Sequence, residues 1–126
     1  MLDLKDAVEL IVGVRRDPSF GTVVLVGLGG VFTELLSDTQ CALGPVSPAT
    51  ALRMLSDLRG AQVLNGFRGR PATDVGQAAA LISKLSSFAA SHPEISEIEC
   101  NPVAVTPGAA MALDARIILG AATPGS

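Results

Sequence analysis

Apolar and polar positions along the chain switch from a two-residue period to a helical one and back. Val8 to Val14 alternates weakly and is rich in β-branched residues, which predicts a strand. Asp17-Pro18-Ser19-Phe20-Gly21 carries turn chemistry, because proline fixes one φ and glycine permits a positive one. Thr22 to Val26 is a continuous apolar run bounded by turns, the mark of a central buried strand. Gly27-Leu28-Gly29-Gly30 interrupts it, an extended pattern resumes over Val31 to Leu36, and Cys41 to Leu43 reads as a short further strand. Ser47 followed by Pro48 is a helix start, and Ala51, Leu52, Leu55 and Leu58 share one helical face up to Gly60. After a glycine-rich loop, Thr73 or Asp74 caps a second helix whose apolar face is Val75, Ala79, Ile82, Leu85 and Ala89. His92-Pro93 stops it. Strands Ile95 to Val105 and Ala110 to Leu119 then meet across Pro107-Gly108. The order strands, helix, helix, strands predicts an α+β fold: a mixed or antiparallel sheet with two helices packed on one face.

Composition narrows the function. With 126 residues, the chain has the size of one domain and can bury roughly two thirds of its extended surface. Hydrophobic residues make up 48% and charged residues 17%, a globular balance, and the core is aliphatic because Trp and Tyr are absent. A net charge of -3 and four Phe as the only aromatics argue against a nucleic-acid partner. Two cysteines and one histidine make neither a disulfide framework nor a Cys/His zinc cluster, so a cytoplasmic setting is expected. The N-terminal stretch has acids and a lysine where a signal peptide is apolar. No apolar run approaches the ~20 residues that cross a bilayer, the longest being interrupted by Lys84. No membrane partner is expected.

The last hairpin carries the candidate chemistry. By strand alternation Glu97, Glu99 and Asn101 point one way while Ile98 and Cys100 point the other. With the turn centred between Pro107 and Gly108 and no bulge, Asn101 faces Asp114 and Glu99 faces Arg116. Opposed side chains lie about 4.5–5.5 Å apart at Cβ, so a carboxylate and an amide oxygen there can reach one hard cation. Mg²⁺ suits such a pair, being held by one or two protein oxygens plus phosphate and water. An Asn–Asp hydrogen bond beside a Glu99–Arg116 surface ion pair explains the same pattern.

The run EIECNPVAV and the later ALDARI resemble the end of the ATP-grasp domain in succinyl-CoA synthetase β subunits and ADP-forming acetyl-CoA synthetases. The upstream ELIVGVRRDPSFGTVVLVGLGGVFTELLSD and the GFRGRP loop resemble the same domain, so the similarity runs over 8–118. It implies that the whole chain, 1–126, is a single lobe, the C-terminal lobe of an ATP-grasp fold, with 1–7 and 120–126 frayed. It implies Mg²⁺ and ATP or ADP as cofactors, Asn101 and Asp114 as the metal ligands, and Glu99 as the carboxylate beside the phosphohistidine loop. Cys100 stands where an aliphatic residue is usual.

Gly27, Gly29 and Gly30 fit neither a dinucleotide fingerprint nor a P-loop. They read as a tight corner in a sheet or as bare backbone that phosphate can approach. Glu34 is a candidate active-site acid or a plain solvated side chain. Arg68 and Arg70 are candidates for phosphate or carboxylate recognition, solvation being the alternative, and the same two readings apply to Arg15 and Arg16. His92 follows a helix C-terminus, where it complements the helix dipole rather than carrying phosphate.

The resemblance further implies missing partners: a first ATP-grasp lobe with its phosphate-binding lysine, and a CoA-binding domain or subunit. Neither Lys5 nor Lys84 lies in a matching motif. On this reading the lobe belongs to an ADP-forming acyl-CoA synthetase and does not turn over alone, and surface left without its partner lobe can self-associate. The alternative is a non-catalytic, ligase-like regulatory module, for example of a protein acetyltransferase, or a stand-alone interaction domain.

Overall fold

The computed structural model describes residues 7–29, 38–66, 69 and 71–120. Strands β1 (Val8–Asp17), β2 (Gly21–Leu28) and β3 (Thr39–Leu43) precede helices α1 (Pro48–Ser56) and α2 (Val75–Ser91). Strands β4 (Ile95–Thr106), β5 (Ala109–Ala112) and β6 (Ala115–Leu119) follow. They form one sheet in the order β3-β2-β1-β4-β5, with β6 continuing alongside β4. Every pairing among these six strands is antiparallel, so the expected α+β layer holds without a parallel pair. The strand expected over 31–36 lies outside the described residues.

The β1–β2 turn uses the chemistry read from the sequence. Asp17 Oδ1 accepts from Ser19 N at 2.7 Å and Phe20 N at 3.1 Å, and Gly21 takes a φ of +84°. On one side of the sheet Leu10, Val12, Val14, Val24, Val26, Ile98, Cys100, Val103 and Val105 are buried under the helices. On the other side Ile11, Gly13, Val23 and Leu25 form the half-buried floor of an open concavity of about 270 Å³.

Helix α1 starts as expected: Ser47 Oγ accepts from Thr50 N at 3.1 Å, and Pro48 occupies the first turn. Its buried face is Ala51, Met54 and Leu55, whereas Leu52 is 40% exposed. The i, i+3, i+4 stripe passes through Met54, which the expected face left out. The helix ends at Ser56 rather than at Gly60 because Asp38 intervenes. Its carboxylate accepts from Arg59 N at 2.7 Å and Gly60 N at 2.8 Å, holding those residues in a turn. Helix α2 is capped by Asp74, whose side chain accepts from Gln77 N at 3.1 Å. Two serines stitch α2 to the segment entering α1. Ser83 Oγ donates to Val46 O at 2.8 Å, and the fully buried Ser86 accepts from Val46 N at 3.0 Å.

The Asp38 turn should be measurable. Asp38→Ala leaves two half-buried N–H groups without acceptors, so stability to urea should fall by about 1–3 kcal/mol, with Asp38→Asn in between. An unchanged urea midpoint for both variants would show that water replaces the carboxylate at no cost.

Candidate functional site

Strand β4 is flanked by β1 on one side and by β5 and β6 on the other, and it is irregular at the candidate residues. Between the pairs Leu10↔Val103 and Val12↔Cys100, β1 advances two residues and β4 three. The surplus is a β-bulge at Asn101-Pro102, where the intervening peptide bond is cis. The bulge reverses the alternation, so that Ile98 and Cys100 before it and Val103 and Val105 after it all face the helices.

The partner strand carries the irregularity in step. Val103 pairs Ala112 and Cys100 pairs Ala115, with Leu113-Asp114 dividing the expected single strand into β5 and β6. Asn101 N donates to Asp114 O at 3.1 Å and Leu113 N donates to Pro102 O at 2.9 Å. The expected opposition of Asn101 with Asp114 and of Glu99 with Arg116 is therefore present in the backbone. Asn101 and Asp114 are both exposed, and neither side chain has a hydrogen bond or ion pair among the described residues. Two unengaged oxygen donors on facing strands fit a hard divalent cation that completes its shell with phosphate and water.

Glu99 is half-buried on the open face and borders the concavity together with Glu97. Arg116 Nη2 donates to Glu99 Oε2 at 3.3 Å and lies 3.9 Å from Glu97 Oε2. The Arg116 side chain is 64% exposed, and ion pairs at such sites contribute about 0.2–1 kcal/mol. The cluster therefore adds little to stability. Cys100 faces the core, where burial first and the Glu99 charge second push its thiol above the ordinary range.

The remaining candidates divide. A Cβ on Gly27 would lie 2.9 Å from Thr39 Cγ2 and 3.1 Å from Asp38 O, so the bare residue lets β3 approach. Gly29 N donates to Glu9 O at 2.8 Å, which places both glycines in the close packing of the sheet. Arg16 is not a free loop cation: it donates to the carbonyls of Ala89, His92 and Ile95, tying β1 to the end of α2. Arg15 is exposed, opposite Glu97, and makes no ion pair among the described residues. His92 caps α2, its Nδ1 2.8 Å from Phe88 O, away from the open face. Gly30, Glu34, Arg68 and Arg70 lie outside the described residues. Sequence reasoning missed the bulge, although a proline inside a central strand was a usable signal for one. It also passed over Glu97 as a second carboxylate within ion-pair range of Arg116.

A family model described as an ATP-grasp domain matches residues 1–119. The chain belongs to the ATP-grasp family. This ATP-grasp lobe is 40% identical over 111 residues to the β subunit of acetate–CoA ligase (ADP-forming) I of Pyrococcus furiosus, covering 88% of the chain and 48% of that subunit. It is 44% identical over 101 residues to acetate–CoA ligase (ADP-forming) of Methanocaldococcus jannaschii, covering 80% of the chain and 14% of that protein. Among solved structures it is similar to dinucleotide-forming acetyl-coenzyme A synthetase 1 of Ca. Korarchaeum cryptofilum in complex with coenzyme A and Mg-AMPPCP. The TM-score is 0.85 with 38% identity, over 90% of this chain and 53% of that one. The lobe thus spans about half of the β subunit and a smaller part of the single-chain relatives. Among the described residues no helix is long and apolar enough to cross a membrane.

The two cysteines supply a check on how β4 is seated. At about pH 8 the exposed Cys41 should react with a disulfide reagent within minutes, while the buried Cys100, its thiol held protonated, should react only after denaturation. Two equally fast thiols in the folded protein would place Cys100 outside the core.

Proposed function

We propose that this lobe presents the Mg²⁺ of a bound ATP or ADP in an ADP-forming acyl-CoA synthetase, through the oxygens of Asn101 and Asp114. The observation that carries the reading is the shared irregularity of β4 and β5–β6. At that level Asn101 N donates to Asp114 O, and the two exposed side chains make no hydrogen bond or ion pair among the described residues, which supports the reading. The Korarchaeum relative, of the same fold at 38% identity, has been seen with Mg-AMPPCP bound and with its phosphohistidine segment pointing towards the nucleotide binding site.

When bound, the cation would neutralise and orient the nucleotide phosphates. Glu99, two residues before Asn101 and bordering the open concavity, would meet the imidazole that exchanges phosphate with the nucleotide. Its carboxylate would orient that ring and stabilise its charged form. The complete enzyme would convert acyl-CoA, ADP and phosphate to acid, CoA and ATP, or run the reverse, synthetase reaction, through an acyl phosphate and a phosphohistidine. A first ATP-grasp lobe and a CoA-binding domain or subunit would supply the remaining groups; the relatives extend well beyond this lobe, which is consistent with further domains.

The test is a titration of Mg²⁺ in the presence of ADP, on the enzyme assembled with its other domains, in wild-type and Asp114→Ala forms. Outer-shell changes alone weaken metal sites by roughly 10–100-fold, so loss of a direct ligand should weaken nucleotide-dependent Mg²⁺ affinity by at least about tenfold. Equal affinity in the two forms removes Asp114 from the site.

A further inference from the structure

Glu99 is held from one side only. On β1 its neighbour is Gly13, which has no side chain to offer, and on β6 its neighbour is Arg116. Among the described residues Arg116 is the single side-chain partner of the Glu99 carboxylate, at 3.3 Å. The same Nη2 lies 3.9 Å from Glu97, whose side chain is less exposed than that of Glu99. A long, mostly exposed arginine would ordinarily sample many rotamers. Set between two carboxylates of one strand face, its guanidinium has its position defined from both, and its donors then define where the Glu99 oxygens lie. All three residues stand on paired strands, so the arrangement does not depend on loop order.

We propose that Arg116 is a positioning residue for Glu99, fixing its carboxylate toward the open face, with Glu97 as the anchor that keeps Arg116 in place. This rests on the reading of Glu99 as the carboxylate that meets the phosphorylated imidazole. Arg116 acts through Glu99 and touches neither nucleotide nor metal. Glu97 adds a second carboxylate within ion-pair range of the same nitrogen, and the bare Gly13 leaves the opposite flank of Glu99 clear. Both features leave Glu99 open to a ligand on one side and oriented from the other.

The test is a double-mutant cycle in the assembled enzyme, following turnover, the rate of histidine phosphorylation by ATP, and Mg-ADP affinity. An exposed ion pair of this kind biases its partner's position by up to about fivefold, so Arg116→Gln should slow the rate by about two- to fivefold while Mg-ADP affinity stays unchanged. Arg116→Lys, which keeps the charge but not the fork of donors, should recover part of the rate. Glu97→Gln should give a smaller loss than Arg116→Gln. In the Glu99→Gln background, Arg116→Gln should cost nothing further, an outcome that a merely structural role does not produce. Full activity of Glu99→Gln would overturn the underlying reading of Glu99. An active Arg116→Gln beside an inactive Glu99→Gln would overturn the positioning role alone. So would a loss of Mg-ADP affinity in Arg116→Gln, or an undiminished effect in the Glu99→Gln background.

Discussion

Strand β4 has to bury Ile98 and Cys100 on the same side as Val103 and Val105, although strict alternation would send one pair to each face. An extra residue at Asn101-Pro102 resolves the conflict, and the other features of the candidate site follow from it. Each of those apolar side chains reaches the helix layer, so the core under α2 is continuous along the length of the strand. Because β5 and β6 break at the same level, the hairpin keeps its register on both sides of the bulge. The residues displaced to accommodate the kink are the polar ones, Asn101 and Asp114. They stand clear of the core, with their side chains uncommitted. Local irregularity in the ladder thus coincides with the oxygen donors, and regular pairing on either side keeps them in place.

Much of this was legible in the sequence where short-range chemistry decides the outcome. The Pro107-Gly108 turn fixed the pairing of the last hairpin, so the opposition of Glu99 with Arg116 could be read by counting from the turn. Helix starts were equally direct, since Ser47 and Asp74 cap through their own side chains. What escaped needed information from distant residues. Leu52 and Met54 both fit a helical stripe, and only the approach of the sheet and α2 decides which is buried. The end of α1 depends on Asp38, which lies well before the helix in sequence. Arg16 looked like a solvated or phosphate-seeking cation, but three carbonyls from the other end of the chain claim it. The bulge was half legible: Pro102 marks it, but the compensating break at Leu113-Asp114 appears only once the strands are paired.

The glycines show how a family mark and a structural need can share one residue. Gly27 is required by the approach of Thr39 whatever its relation to a nucleotide, so its presence says little about binding. Gly13 differs, because a Cβ there would meet only Ile98 O at 3.8 Å, an ordinary contact. Packing does not demand that glycine, and its effect is on the open face, where it leaves the floor beneath Glu99 low.

The three carbonyl bonds of Arg16 join the two sides of the molecule in a way that packing alone does not. Arg15 and Arg16 are consecutive residues of β1. One stands on the open face across from Glu97, and the other is bolted to the last turn of α2 and the first residue of β4. A displacement of that helix end pulls on β1, which pairs directly with the strand that carries Glu97 and Glu99. One side chain thus ties the end of the helix layer to the strands that border the open face.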